Sequence, residues 1–417
     1  MKVIGFITEY NPFHYGHKYH YEISKKLTDS THTIAVMSGS FVQRGEPSLI
    51  DKWTKAKIAI DNGIDLVIEL PFIYSVQSAE FFAYGGVSIL DSLNIVDYIA
   101  FGSEIESLNP LRKIASILNN EPPKYKEFLK EYLNKGNSFS SARSQALSEY
   151  IKLSNPNDTT PYDLILKQSN NILGIEYLKS LNRLNSKIKP ISIKRKGNNY
   201  NDIEITTNIA SATAIRKKIL SGNLDGVKDH IPPATYYYLN NFYKKYGTFN
   251  SLSNYNQIFQ YIFRSTDKSK FNRIMDIENG LENRIIKASS DEIQIEEIIK
   301  SVTTKRYPST RIKRILVHLL SNLDKETIQM IYKTPVNYIR VLGSNQKGLE
   351  ILRNIKNNSN VNIITKFADH KSLKSEEIDL MLSYEEMATN LYFLGITKNK
   401  PLVNMDYKLS PYITKDI

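Results

Sequence analysis

The N-terminal half of the chain alternates short runs of β-branched residues with segments of helical periodicity. Such alternation is typical of βαβ units, in which crossover helices join parallel strands. Strands are predicted at residues 3–8, 33–37, 66–70, 98–101 and 190–194, and helices at about 17–28, 52–62 and 75–93 between the first four. The pattern predicts an α/β fold with a Rossmann-like parallel sheet.

Two other regions accompany the predicted sheet. Residues 108–160 have helical periodicity with charged faces, and we expect a helical insertion there. The sequence Ile231-Pro-Pro-Ala marks a predicted boundary between residues 1–232 and a mostly helical C-terminal domain, residues 233–417. Within that second domain, short strands are predicted at 338–342 and 362–365.

The amino-acid composition limits the kinds of site and partner that the chain can have. The chain has 417 residues and no cysteine, which excludes disulfides, thiolate metal sites and cysteine nucleophiles. It contains no apolar run of the roughly 20 residues that a membrane span needs, so we expect a cytoplasmic protein without membrane contact. With 55 Lys+Arg against 43 Asp+Glu, the net charge is +12. That excess fits a polyanionic partner such as nucleic acid, or equally a generally basic proteome.

The strongest local signal lies between the first predicted strand and helix, at Glu9-Tyr-Asn-Pro-Phe-His14-Tyr-Gly16-His17. Parallel sheets bind ligands at the carboxyl ends of their strands, and a helix N-terminus there attracts phosphate. His14 and His17 are three residues apart, so both imidazoles can face one triphosphate and stabilise charge as pyrophosphate leaves. The weaker alternatives are histidines that only satisfy loop carbonyls, and a zinc site, for which no third ligand is evident.

His14-Tyr-Gly-His17 resembles the signature of the nucleotidyltransferase superfamily, in which an ATP α-phosphate is attacked and pyrophosphate departs. Those enzymes carry a second motif late in the sheet domain, which is matched here by residues 209–216 with Ser211, Thr213 and Arg216. Hydroxyls at a helix N-terminus followed by an arginine suit a β,γ-phosphate clamp. An ordinary N-cap with a solvated arginine is the alternative.

Longer segments resemble the bacterial tRNA(Met) cytidine acetate ligase family, including residues 36–41, 43–47, 65–71, 101–104, 170–174, 305–311 and 338–343. The resemblance covers nearly the whole chain and weakens after about residue 357. It implies activation of acetate by ATP to acetyl-adenylate, then acetyl transfer to N4 of the wobble cytidine of elongator tRNA(Met). Residues 1–232 would be the ATP-binding catalytic domain and 233–417 the tRNA-binding domain.

The resemblance also implies ATP contacts. It assigns them to Ile7, Thr8, Glu9, Tyr10, Asn11, Pro12, Phe13, His14, Tyr15, Gly16, His17, Lys18, Tyr19 and His20, and to Gly102, Asn170, Arg195 and Lys196. The chain departs from the family pattern at Ser169, where relatives have proline, and at Asn201, where they have histidine. Asn201 is therefore given no role.

A basic segment at residues 304–314 is the predicted tRNA contact. Its cations and aromatic residue are Lys305, Arg306, Tyr307, Arg311, Lys313 and Arg314. The cations suit phosphates and the tyrosine suits an unpaired base, although a solvated helix face would look similar. The loop at residues 40–47, with Gln43 and Arg44, is predicted to close over the active site or the anticodon.

The sequence thus predicts an ATP-dependent ligase that uses acetate and tRNA, with Mg²⁺ as a charge partner for the leaving group and no resident metal site. No oligomeric state is predicted. A small-molecule adenylyltransferase of the same superfamily and a non-enzymatic RNA-binding protein are the alternatives. The first would be expected in a shorter chain, and the second would not need two phosphate motifs.

Overall fold

The computed structural model describes residues 1–195, 210–396 and 401–414. The strands are β1 (Val3–Thr8), β2 (His32–Ser38), β3 (Phe41–Val42), β4 (Glu46–Pro47), β5 (Leu66–Leu70), β6 (Tyr98–Ser103), β7 (Lys189–Lys194), β8 (Tyr338–Ser344), β9 (Asn362–Ile364) and β10 (Tyr412–Ile413). All five strands predicted for the N-terminal half are present, each within two residues of its expected bounds.

The first ten helices belong to the N-terminal half. They are α1 (Tyr15–Thr28), α2 (Lys52–Asp61), α3 (Phe72–Ser75), α4 (Ala79–Ser92), α5 (Asn109–Asn120), α6 (Pro123–Asn134), α7 (Phe139–Ser154), α8 (Tyr162–Ile165), α9 (Ser169–Arg183) and α10 (Ala212–Leu220). The single helix predicted over 75–93 is wrong at its start, because the chain forms the short α3 and then begins α4 at Ala79. The predicted insertion is helical, in α5 to α7.

The later helices surround the sheet from the C-terminal half. They are α11 (Pro233–Tyr246), α12 (Asn256–Ser265), α13 (Lys268–Arg273), α14 (Leu281–Asp291), α15 (Ile295–Val302), α16 (Ser309–Ser321), α17 (Lys325–Ile331), α18 (Gln346–Asn358), α19 (Glu376–Leu394) and α20 (Met405–Lys408). Short 3₁₀ helices lie at Asp225–His230, Leu252–Tyr255 and Phe367–Ser372. No helix within the described ranges has the length and apolar character to cross a membrane.

Over the described residues, eight strands form one sheet in the order β10-β8-β5-β2-β1-β6-β7, with β9 paired to β8. Five neighbouring strands of this sheet are mutually parallel, namely β5, β2, β1, β6 and β7. The chain leaves β1 toward β2 on one side and later returns to β6 on the other. The carboxyl ends of β1 and β6 are therefore a topological switch point, where α/β sheets form their ligand crevice.

The sheet takes strands from both halves of the chain. Strand β8 pairs antiparallel with β5, so the sheet is mostly but not wholly parallel. Strand β8 covers an edge of β5 that would otherwise be open, and all seven of its residues are buried. The boundary after residue 232 stays a proposal. Strands from both sides of this boundary pair in the same sheet.

A buried charge network fastens the C-terminal half to the sheet. The Lys52 ammonium lies 2.8 Å from carboxylate oxygens of both Glu69 and Asp406, and Arg340 lies 2.9 and 2.7 Å from the same two residues. Burial, with Glu69 adjacent, raises the pKa of Glu385 and favours its protonated form. Two cations then face two carboxylates, which satisfies the requirement that buried charge be paired.

Candidate functional site

A pocket lies at the carboxyl ends of β1, β6 and β7, at the switch point of the sheet. The residues predicted from sequence that line it are Ile7, Thr8, Glu9, Tyr10, Asn11, His14, Gly16, His17, Tyr19, His20, Gly102, Asn170, Arg195, Ser211, Thr213 and Arg216. Two motifs separated by nearly two hundred residues in sequence thus meet in one cavity.

Four of the predicted ATP-contact residues in the described ranges do not line this pocket. Phe13 is buried and its ring packs 4.8 Å from that of Tyr10 and 5.6 Å from that of His17, so it supports the pocket from behind. Pro12, Tyr15 and Lys18 also lie outside the lining. Lys196 and Asn201 fall outside the described residues.

His14 and His17 form a stacked pair at the N-terminus of α1. Their ring centroids are 3.8 Å apart with an interplanar angle of 30°. The Gly16 N–H donates to His14 Nδ1 at 3.0 Å, and the His14 N–H donates to His17 Nδ1 at 3.3 Å. This is a capping box built from two imidazoles, and it satisfies two N–H groups that a helix start leaves without partners.

The cap also fixes the tautomers. A ring nitrogen that accepts a hydrogen bond carries no proton, so each neutral ring carries its proton on Nε2. Burial, followed by the charges of Arg195 and Arg216, lowers the pKa of His14 to about 3. Burial and then His14 lower the pKa of His17 well below its usual value. At neutral pH the pair therefore presents two uncharged Nε2–H donors.

A second wall of the pocket follows β6 and β7. The Arg195 guanidinium donates to Asn170 Oδ1 at 3.3 Å, and the Asn170 side chain donates to Glu104 Oε1 at 2.6 Å. The Arg195 stem lies against the strand at Gly102, where a Cβ would be in ordinary contact with Arg195 Cγ at 3.4 Å. Glu104 thus orients a cation toward the pocket through the predicted Asn170.

The second motif opens α10 on the facing side. Ser211 is its N-cap and accepts the Ala214 N–H at 3.1 Å, which is the ordinary capping role considered from sequence. The solvated arginine, however, is not found. Arg216 has only 12% of its side chain exposed, and it donates to the Asn11 carbonyl at 2.9 Å and to Glu46 Oε2 at 3.2 Å.

Gln43 and Arg44 of the β3–β4 hairpin line the pocket, while the closure predicted for this loop stays a prediction. Glu9 Oε1 accepts the Gln43 N–H at 2.9 Å, and Glu46 pairs with both Arg216 and Lys313. Burial would raise the pKa of Glu46, but Arg216 and Lys313 outweigh it and hold the pKa below its ordinary value. The hairpin thus joins the pocket to α16.

Sequence reasoning missed the apolar wall of the pocket. Phe82, Phe101, Leu173 and Tyr177 line it from α4, β6 and α9. Their spacing was that of ordinary core residues, and nothing in the sequence distinguishes a core side chain from one that borders a cavity. Glu46 was also missed, since its role depends on a partner more than two hundred residues away.

The basic segment at 304–314 is paired with acidic residues more than its sequence suggested. Arg306 and Arg311 both contact Glu278, at 3.0 and 2.9 Å. Arg314 contacts Asp276 at 3.0 Å, Lys313 pairs with Glu46, and Tyr307 is half-buried between Arg306 and Arg311. Lys305 and Arg306 are exposed. The tRNA contact predicted here stays a prediction, with those two cations its most accessible members.

Comparison with known proteins agrees with this geometry. The model of the HIGH Nucleotidyl Transferase family matches residues 1–405. The tRNA(Met) cytidine acetate ligase of Thermoanaerobacter sp. (strain X514) is 48% identical over 408 residues, covering 98% of both chains. That of Clostridium perfringens (strain SM101) is 43% identical over 416 residues, covering 99% of this chain and 100% of the relative.

Solved structures agree as well. The apo crystal structure of Thermotoga maritima TmcAL superposes with a TM-score of 0.96 at 32% identity, covering 100% of both chains. The structure of the same protein bound with alpha-thio ATP superposes with a TM-score of 0.93. The chain therefore belongs to the HIGH nucleotidyl transferases and, among them, to the tRNA(Met) cytidine acetate ligase family.

Proposed function

We propose that the protein is an ATP-dependent ligase that activates acetate as acetyl-adenylate and transfers the acetyl group to N4 of the wobble cytidine of elongator tRNA(Met). The observation that carries this proposal is the stacked pair of neutral histidines facing Arg195 and Arg216 in one pocket. The names of relatives that match almost the full chain support the acceptor and the acid.

In the first step an acetate oxygen attacks the α-phosphorus of ATP, and the bond from that phosphorus to the α,β-bridging oxygen breaks, so that pyrophosphate leaves. Negative charge grows on the phosphate oxygens and the leaving group. The Nε2–H groups of His14 and His17 would donate to those oxygens without gaining a charge themselves. Arg216, held by the Asn11 carbonyl, and the helix start at Ser211 would hold the departing pyrophosphate.

In the second step the cytidine amine attacks the acetyl carbonyl, and AMP leaves. This amine is a poor nucleophile, because its lone pair is delocalised into the ring, so the mixed anhydride supplies the driving force. The chain contains no cysteine. A thioester carried on a cysteine of the enzyme is therefore not part of the route.

Mg²⁺ is proposed as a charge partner of the triphosphate. Among the residues that the structure describes, no cluster of three or more histidine, aspartate or glutamate side chains could hold a metal ion. Phosphate oxygens and water would therefore supply most of the ligands, as is common for this cation.

The test is transfer of labelled acetate to purified elongator tRNA(Met) in the presence of ATP, followed by nuclease digestion and identification of the labelled nucleoside. We expect label in N4-acetylcytidine at the wobble position, with a transcript carrying uridine there as the matched control. Label that never enters tRNA, together with AMP transfer to a phosphorylated metabolite, would establish the small-molecule adenylyltransferase instead.

A further inference from the structure

A second, larger cavity lies beside the ATP pocket and is not accounted for by the proposed chemistry. It is a groove of about 1080 Å³ between the start of α4, the end of α9, the loop at residues 275–279 and α17. The two cavities flank α4 at neighbouring residues, since Phe82 lines the pocket and Phe81 lines the groove. Arg306 and Arg311 of the basic segment form one side of the groove.

The groove carries more positive than negative charge. Five cations line it, Arg183, Arg306, Arg311, Lys325 and Lys333, against the two carboxylates Asp276 and Glu278. Both carboxylates are already paired with arginines, at 2.9 to 3.0 Å. In the described ranges, Arg183, Lys325 and Lys333 form no ion pair with a carboxylate. An anion entering the groove would meet unneutralised cations.

Aromatic rings and the Arg183 guanidinium lie together in the groove and form a surface suited to stacking, the Arg183–Tyr332 step. The rings of Phe81 and Tyr332 have centroids 4.2 Å apart, and the exposed Arg183 holds its guanidinium carbon 4.5 Å from the Tyr332 ring and 4.4 Å from the Tyr84 ring. Unpaired RNA bases stack on aromatic rings and on guanidinium planes, while lysines and arginines take the phosphates. A stacking surface thus occurs together with cations that have no carboxylate partner, although Lys325 donates to the Asn272 carbonyl at 2.7 Å.

We propose that this groove binds an unpaired nucleotide of the tRNA substrate, with its base on the Arg183–Tyr332 step and its phosphates toward Lys333 and Lys325. The inference rests on the proposed function, because it takes tRNA as the partner. It adds a second contact region, which includes Arg306 and Arg311 of the basic segment. This region is separate from the pocket that holds the histidine pair and the second motif.

Three variants of the full chain test the groove by tRNA binding across a salt series. Arg183→Lys keeps the charge and removes the guanidinium plane, so we expect affinity to fall about fivefold to tenfold with the salt dependence unchanged. Lys333→Glu removes a phosphate contact, so we expect about a tenfold loss at low salt and a salt slope smaller by about one. Lys356→Glu makes the same charge change at the exposed end of α18 and should change affinity less than twofold.

Thermal unfolding of each variant establishes that it folds, and Arg183, Lys333 and Lys356 are all exposed. Equal affinities of Arg183→Lys, Lys333→Glu and Lys356→Glu would overturn the groove while leaving the proposed function intact. A different measurement would show failure of the proposed function, namely that the wild-type protein does not transfer acetate to tRNA. Loss of free-nucleotide binding but not of tRNA binding in the groove variants would assign the groove to a metabolite and overturn the proposal.

Discussion

At the residue scale, the proposed activation of acetate depends on two histidines whose Nδ1 atoms cap a helix and whose Nε2–H groups are the donors in the pocket. Asparagine is also a good N-cap, so His14→Asn keeps an acceptor for the Gly16 N–H but lacks the ring donor. We expect exchange of pyrophosphate into ATP to fall about 10²- to 10³-fold, the usual loss for one such donor. Binding of tRNA should not change, and a variant that lost tRNA binding while keeping exchange would contradict the role given to His14.

The same residue predicts a pH dependence of stability. His14 has a pKa of about 3 in the fold against 6.5 for a free histidine, so the unfolded chain takes up a proton first as pH falls. The stability present above pH 6.5 is therefore lost progressively as pH decreases from there toward 3. One such group accounts for about 2 kcal/mol between pH 7 and pH 5.

Urea denaturation at the two pH values checks this. The wild-type protein should lose more stability than His14→Asn on going from pH 7 to pH 5, by about 2 kcal/mol. His17, whose pKa is lowered by burial in the same way, should add a further loss in both proteins. Equal losses in the two proteins would show that His14 is not held neutral by the fold.

At the scale of elements, the β3–β4 hairpin is the piece that reaches from the pocket to the C-terminal half. Gly45 has a φ of +74° and lies so close to α16 that a Cβ there would overlap the backbone of Lys313 and Arg314. Gly45→Ala should push the hairpin away from α16 and displace Gln43 and Arg44 at the pocket mouth. We expect the KM for ATP to rise about tenfold and stability to fall by about 1–3 kcal/mol.

The matched control for the hairpin is Gly136→Ala. Gly136 also has a positive φ, of +81°, but a Cβ there would have no atom within 4 Å. Both variants carry the backbone strain of alanine in that region, and only Gly45→Ala adds the collision with α16. Similar KM values for the two variants would separate the hairpin from ATP binding.

The amino-acid sequence was most informative about the individual secondary-structure elements. Runs of β-branched residues between helical segments predicted β1, β2, β5, β6 and β7 to within two residues of their bounds, and the motif with His14 and His17 pointed to the place where the pocket lies. What no local pattern contains is pairing between distant segments. The antiparallel contact of β8 with β5, the Glu46 bridge and the acidic partners of the basic segment all depend on residues far apart in sequence.

At the scale of the whole molecule, the two proposed domains share one sheet and one buried charge network. Arg340→Leu would leave Glu69 and Asp406 with one cation instead of two, in a site where Arg340 is 4% exposed. Loss of one partner of a buried pair typically costs about 3–5 kcal/mol. Arg353→Leu, at an exposed position of α18, should stay within about 0.5 kcal/mol of wild type.

The same reasoning predicts that residues 1–232 do not form a stable protein alone. The fragment would lack β8 on the edge of β5, and Lys52 and Glu69 would lose Arg340 and Asp406. Circular dichroism and amide exchange of the fragment, against the full chain, check this. A fragment with a cooperative transition and full amide protection in β5 would show that the sheet folds without the C-terminal half.

Acetate activation is tested most directly by the exchange of labelled pyrophosphate into ATP with and without acetate, in the absence of tRNA. If the histidine pocket activates acetate, exchange should require acetate and should fall about 10²- to 10³-fold in His14→Asn. Exchange that proceeds equally without acetate, or that persists in His14→Asn at the wild-type rate, would contradict acetate activation by the histidine pair.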